Sequence, residues 1–185
     1  IAVNGHKYKV VISSTCGTLS SEKVTLTVTP KLVITAQPIA VTLCEDQTAT
    51  FTVGATGDQV TYQWQTNNGG GTWTSITGST GTTLTVSATA ATNGFKYRAV
   101  ISSTCGTLNS AEAELTVTPK PVITAQPVSV AVCEDQAATF TVTATVDNLS
   151  YQWQTNSGGS TFTDIPGATG ATLAVPAAIA VNGHK

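Results

Sequence analysis

Charge is what this chain has least of. Only 10% of its 185 residues are charged and the net charge is −2, against about 25% charged residues in ordinary soluble domains. That balance excludes a basic footprint for nucleic acid or for an anionic membrane surface. No apolar run approaches the roughly 20 residues needed to span a bilayer, so membrane insertion is not expected. No N-terminal stretch has the charged, apolar and cleavage regions of a signal peptide. Methionine is absent, so Ile1 reads as the start of an internal segment or a processed product. Histidine occurs twice. No Ser-His-Asp set can be assembled, and no Cys-x-x-Cys or His-x-x-x-His spacing exists for a metal. The chain is therefore expected to be no enzyme and to carry no cofactor. Helical periodicity is missing as well: no useful length has apolar residues at i, i+3, i+4 and i+7.

Thr, Ser, Val, Ala and Gly fill the gap, and Thr and Val favour strands. The four cysteines suit disulfides in an oxidising compartment, and the composition as a whole points outside the cell.

The strongest signal is repetition, which is sought before motifs. Cys16 and Cys105 lie 89 residues apart, as do Cys44 and Cys133, Trp64 and Trp153, and Pro38 and Pro127. The words STCGTL, TVTPK, ITAQP, CEDQ and YQWQTN each occur twice at this offset without gaps. IAVNGHK opens the chain and closes it 178 residues later, twice the period, while the copy between them is less similar. An array alternating in two-domain units would produce that pattern. Each unit closes on TVTPK, where proline breaks strand pairing and stiffens a linker. These boundaries make 1–30 the C-terminal strands of one domain, 31–119 a complete domain and 120–185 the N-terminal strands of a third. The third lacks the part that 1–30 supplies. Either the chain is an excerpt of a longer array, or separate chains complete each other's domains head to tail.

Within 31–119, short β-rich runs alternate with Gly, Asn, Asp and Ser clusters, which predicts an all-β sandwich. The expected strands are 33–36, 39–43, 48–55, 60–66, 72–76, 82–86, 95–103 and 111–118. Thr50-Phe51-Thr52-Val53 and Leu115-Thr116-Val117-Thr118 alternate polar with apolar, so one face of each meets a core. Trp64 in Tyr62-Gln63-Trp64-Gln65 is the expected core centre. Phe51, Val53 and Tyr97 join it, and Trp153 and Phe140 are the corresponding core residues of the next copy. Pro38 and Pro127 blunt the first strand, because a bare edge in so uncharged a sheet invites aggregation.

Tyr62-Gln63-Trp64-Gln65 resembles strand C of an immunoglobulin-like domain with its buried Trp. Asn93-Gly94-Phe95-Lys96-Tyr97 resembles the approach to strand F, with Tyr97 in the place of the tyrosine corner. The series CEDQ, FTV, YQWQ, KYRAVISSTCGTL and LTVTP is similar to the repeats of giant surface adhesins of Bacteroidota-type bacteria, including gliding-motility adhesins. The resemblance covers the whole chain. It implies tandem immunoglobulin-like antiparallel β-sandwiches. The sequence departs from antibody-type domains at one point: Val53 and Ala99 stand where the usual cysteine pair between strands B and F would be, so packing must replace that bridge.

The cysteines lie elsewhere. In this frame Cys44 precedes strand B, at the end facing the C-terminal neighbour, and Cys105 ends strand F at the opposite end. From Tyr97 to Cys105 an extended strand runs on the order of 27 Å at ~3.4 Å per residue, whereas a disulfide needs Cα atoms within about 7 Å. A bond from Cys44 to the equivalent of Cys105 one repeat later, 150 residues on, would staple neighbouring domains. A bond within one domain, free buried thiols, and sequential pairing of Cys16 with Cys44 are the other arrangements; Cys133 repeats Cys44.

Other candidate sites are weaker. His6 and His184 share a repeat position that Phe95 occupies in the middle copy, so a surface or partly buried role is expected. Glu45-Asp46 and Glu134-Asp135 fall short of the six to eight oxygens calcium requires, and solvated turns are the simpler reading. Asn67-Asn68-Gly69-Gly70-Gly71 is a hairpin turn by composition. Trp73 follows it and could stack on a sugar, but Phe162 replaces it in the next copy, which favours packing. Asn148-Leu149-Ser150 fits a glycosylation acceptor, yet the other repeat has Gln59-Val60-Thr61 there.

The expected role is a stalk or filament region of a secreted bacterial cell-surface adhesin, since an array extends by repetition without chemistry. Its partners would be neighbouring repeats or other copies of the protein. One alternative is a module that binds glycans or a substratum weakly and gains avidity through copy number. The other is a non-catalytic accessory region of a large secreted enzyme.

Overall fold

The computed structural model describes residues 3–146, 148–156 and 160–178. It falls into two compact units, Ile1–Thr118 and Pro119–Lys185. The first opens with β1 (Lys7–Tyr8), β2 (Val11–Ser14), β3 (Gly17–Ser20) and β4 (Val24–Thr25), and every residue of these four strands is exposed. β2 and β3 form a hairpin closed by Thr15 and Cys16, and β1 pairs antiparallel with β4.

The rest of the first unit is a closed sandwich. Its strands are β5 (Val33–Ala36), β6 (Val41–Cys44), β7 (Thr48–Thr52), β8 (Gly54–Thr56), β9 (Thr61–Asn67), β10 (Thr74–Ser75), β11 (Thr83–Ser87), β12 (Lys96–Ser103), β13 (Gly106–Asn109) and β14 (Ala113–Thr118). One layer pairs β5 with β8 and β7 with β11; β7 and β8 flank Val53, whose amide still donates to the Thr82 carbonyl at 2.9 Å. Gly54 is required here, because a Cβ would come within 2.9 Å of the Thr35 hydroxyl on the neighbouring strand. The other layer runs β10-β9-β12-β14-β6, and its last pair is parallel, Leu115 opposite Val41 through Thr118 opposite Cys44. The chain crosses between layers at Gln37–Ala40, where Pro38 is buried. Proline suits that crossover, because it gives up a ladder donor where no ladder runs.

Period-two alternation builds the core from both layers. Ala49 and Phe51 come from β7; Tyr97, Ala99 and Ile101 from β12; Ala113, Leu115 and Val117 from β14. Trp64 is fully buried at the centre, and its indole N–H donates to the Gly81 carbonyl at 3.0 Å. The rings of Phe51 and Tyr97 pack 4.9 Å apart. Val53 and Ala99, at the positions of the missing bridge, are both buried in this cluster.

The second unit has β15 (Ile123–Ala125), β16 (Ala137–Thr141), β17 (Thr143–Ala144), β18 (Gln154–Thr155), β19 (Thr163–Asp164) and β20 (Thr172–Pro176). β16 pairs with β20 in the register that β7 and β11 use, one period on. Trp153 repeats the frame of Trp64: its indole donates to Gly170 at 2.8 Å, and Gln152 bridges the Trp153 and Ile165 carbonyls as Gln63 bridges those of Trp64 and Ile76. Yet Trp153 and Phe140, expected in a core, are only half-buried. The reason is coverage. β12 and β14 close over Trp64 and Phe51, and no strand at the corresponding positions exists among the described residues of this unit. A groove of about 630 Å³ lined by Phe140, Trp153, Ile165 and Leu173 remains in their place.

Candidate functional site

The candidate side chains fall in three places. The first is the aromatic beside the β9–β10 hairpin. Asn67 accepts the Gly69 amide at 2.9 Å, and Gly69 and Gly71 have φ of +93° and +78°, conformations that suit glycine in this turn. Trp73 follows, half-buried, with the Arg98 guanidinium 4.2 Å above its ring. Arg98 is held there by its own bond to the Gln65 side chain at 3.0 Å. One face of the indole thus meets a cation. Phe162 is 59% exposed. In its hairpin Gln154 donates to Asp164 at 2.8 Å.

The second place is the acidic turn. Asp46 and Asp135 adopt φ of +68° and +64°, a left-handed conformation that Asp tolerates. The Asp46 amide donates to the Ala88 carbonyl at 2.8 Å, and the Asp135 amide to Ala177 at 2.9 Å. Glu45 reaches the Ala90 amide at 3.4 Å, at the start of the 3-10 turn Ala90–Thr92. These residues join the β6–β7 turn to β11. No group of three metal-ligating side chains occurs among the described residues.

The third place is the set of thiols. Cys16, Cys44, Cys105 and Cys133 are all exposed and unbonded to one another. Cys105 sits in the β12–β13 turn, where its amide donates to the Ser103 hydroxyl at 3.1 Å; Cys16 makes the same bond to Ser14. The Cys105 sulfur lies 2.9 Å from the Thr29 hydroxyl and 3.8 Å from its carbonyl. Cys44 is the register partner of Thr118, and Thr118 is the repeat equivalent of Thr29. The antiparallel pairing of β12 with β14 and the parallel pairing of β14 with β6 put Cys44 and Cys105 at opposite ends of the sandwich.

The remaining candidates add little. His6 is exposed, its ring 6.5 Å from that of Tyr8; His184 lies outside the described residues. Asn148 is exposed at φ +57°. Sequence reading missed the Cys105–Thr29 contact. The shared offset of the two residues from their repeat partners was the available signal, and it shows its meaning only once β6 is seen to pair with β14.

Residues 35–119 match a family model described as a domain of unknown function, DUF8696. Over 156 residues, 83% of this chain, the sequence is 40% identical to Endoglucanase C of Cellulomonas fimi, and it spans 14% of that protein's length. An I-band fragment of titin superposes with a TM-score of 0.54 at 12% identity, over 92% of this chain and 63% of that one. The fold is immunoglobulin-like. Extracellular domains 3–5 of Drosophila OTK give a TM-score of 0.47 at 18% identity, over 93% of this chain and 61% of that one. No helix among the described residues is long and apolar enough to cross a membrane.

Proposed function

We propose that this chain is a non-catalytic spacer, a run of immunoglobulin-like repeats that sets the distance between other modules of an extracellular protein. The supporting observation is what the two copies keep and what they change. The Trp64 and Trp153 frames keep the same internal hydrogen bonds. The position that follows the hairpin turn varies, with Trp73 in one copy and Phe162 in the other. Selection on the scaffold rather than on a binding surface produces that pattern. In this reading residues 1–30, 31–119 and 120–185 belong to three successive domains, and the natural partners are neighbouring repeats or other copies of the chain.

The identity shared with part of Endoglucanase C favours an accessory region of a large secreted enzyme. The resemblance to bacterial surface adhesins favours a stalk on the cell surface. Both uses draw on the same property. The glycan-binding reading is weakened by the guanidinium that covers one face of Trp73.

Small-angle scattering on chains of increasing repeat number, kept in reductant, tests the proposal together with sedimentation against insoluble polysaccharides. The longest dimension should rise by a constant increment per repeat, with no protein carried down. Retention on a polysaccharide that is lost in Trp73→Ala would overturn the spacer reading.

A further inference from the structure

Asparagine is followed by glycine at Asn4-Gly5, Asn68-Gly69 and Asn93-Gly94 among the described residues, and Asn182-Gly183 lies outside them. Asparagine is a thermolabile residue. A following glycine makes it more so, because a residue without a Cβ lets its amide nitrogen swing onto the carboxamide before it. Two of the three pairs are locked in the same way. The Asn93 carboxamide oxygen accepts the Val117 amide at 2.8 Å, and the Gly94 amide donates to the Leu115 carbonyl at 2.8 Å. Both groups that would react are thus tied to β14. Asn4 and Gly5 repeat the two bonds, to Val28 and Leu26, at 2.9 Å each.

Asn68 is placed differently. It stands in the β9–β10 turn, where Asn68, Gly69, Gly70, Gly71 and Thr72 are all exposed. The Gly69 amide reaches no strand; it donates to the side chain of Asn67 at 2.9 Å, where water competes for it. The Asn68 carboxamide has no hydrogen-bond partner among the described residues. The turn also has room to rearrange, since a Cβ on Gly69 or Gly71 would meet nothing within 4 Å. In the next copy Ser157 stands in the place of Asn68, so that turn lacks the reactive pair.

We propose that Asn68 is a site of spontaneous covalent modification, converting with age to aspartate and isoaspartate, while the fold preserves Asn93. The Gly69 amide nitrogen attacks the side-chain carbonyl carbon of Asn68. A carbon–nitrogen bond forms and closes a five-membered imide. The carbon–nitrogen bond of the carboxamide breaks, and its nitrogen leaves as ammonia with the proton that Gly69 gave up. Water then opens the ring. Cleavage at the side-chain carbonyl gives aspartate. Cleavage at the main-chain carbonyl gives isoaspartate, in which the backbone runs through the former side chain. Nothing is oxidised or reduced: one water enters and one ammonia leaves. Either product adds one negative charge to a chain whose net charge is −2, in the turn that leads to Trp73.

The full chain is to be aged in mildly alkaline buffer, with and without urea, and followed by ion exchange and by peptide mapping with mass spectrometry. In the folded chain a more acidic species should accumulate, with the change mapped to Asn68 and both product isomers resolved. Conversion at Asn93 should be slower by at least about tenfold, because two hydrogen bonds must open before its groups can react. Urea should close most of that gap by releasing Asn93 from β14. Asn68→Gln changes an exposed side chain and should prevent the acidic species, since the larger ring forms far more slowly. Asn68→Asp should elute with the acidic species from the start. An Asn68 that stays an amide, equal rates at Asn68 and Asn93 in the folded chain, or a gap that urea leaves unchanged would overturn the proposal. None of these outcomes bears on the spacer reading, which rests on length per repeat and on polysaccharide binding.

Discussion

Residues 31–89 and 120–178 are repeat copies with the same tryptophan frame and the same register between β7 and β11 as between β16 and β20, but they do not have the same structure. β9 runs seven residues where its counterpart β18 runs two. β6 is a strand, and residues 130–133 are not. Trp64 is sealed where Trp153 is half-open. The difference separates two kinds of instruction in one sequence. Alternation within 48–52 and 83–87 is enough to pair those strands, so it works in both copies. In the closed sandwich β9 and β6 are held by β12 and β14, which take up their backbone groups and apolar faces.

The sharpest way to break the comparison is at the tryptophans. Trp64→Ala should cost the closed sandwich about 3–5 kcal/mol through transfer and cavity terms, read as a lower urea midpoint. Trp153→Ala should cost its unit clearly less, because part of that side chain is already in water. Equal losses would mean that the two cores are equivalent. Ser110 provides a subtler contrast. Its hydroxyl accepts the buried Ala99 amide at 2.9 Å, while Ser21 accepts the Val10 amide at 3.0 Å in an exposed setting. Ser110→Ala should cost about 1–3 kcal/mol by stranding that amide, and Ser21→Ala should cost much less, since water replaces the hydroxyl.

Smaller again is Arg98→Ala, which removes the cation from Trp73 and should cost about 0.5–1 kcal/mol. A red-shifted Trp73 emission would mark the newly wet ring, and an unchanged spectrum would mean that the guanidinium does not hold it. The last effect is confined to alkaline pH. Burial, opposed by the hydroxyl of Thr66, holds the Tyr97 phenol above its ordinary value of 10.0. The unfolded chain therefore loses this proton first. Stability from this group is complete below about pH 10 and falls as pH rises through the folded value. Tyr97→Phe should remove that alkaline slope.

Much of this architecture was legible in the sequence. The 89-residue period, the central Trp64 and the alternation in 50–53 and 115–118 all follow from residue order. The expected strand 33–36 coincides with β5, and 95–103 and 111–118 differ from β12 and β14 only at their starts. β13 was missed because Gly106-Thr107-Leu108-Asn109 is exposed throughout and carries no alternation of burial. The strand expected over 48–55 divides at Val53, and the one over 72–76 shrinks to Thr74–Ser75. Trp153 and Phe140 were placed in a core on the strength of their likeness to Trp64 and Phe51. Residue type alone does not set burial, which belongs to the partner strands as much as to the side chain. The approach of Cys105 to Thr29 was hidden for a similar reason: it joins residues 76 apart in adjoining repeats.

The parallel pair of β6 and β14 has one more consequence. The chain passes through β5, in the other layer, before it reaches β6, and it leaves directly after β14. Once β5 has parted from β8, tension on the two ends draws β6 and β14 along their own axes in opposite directions. The ladder from Val41–Leu115 to Cys44–Thr118 is then loaded in shear, and its hydrogen bonds must yield together instead of unzipping one at a time.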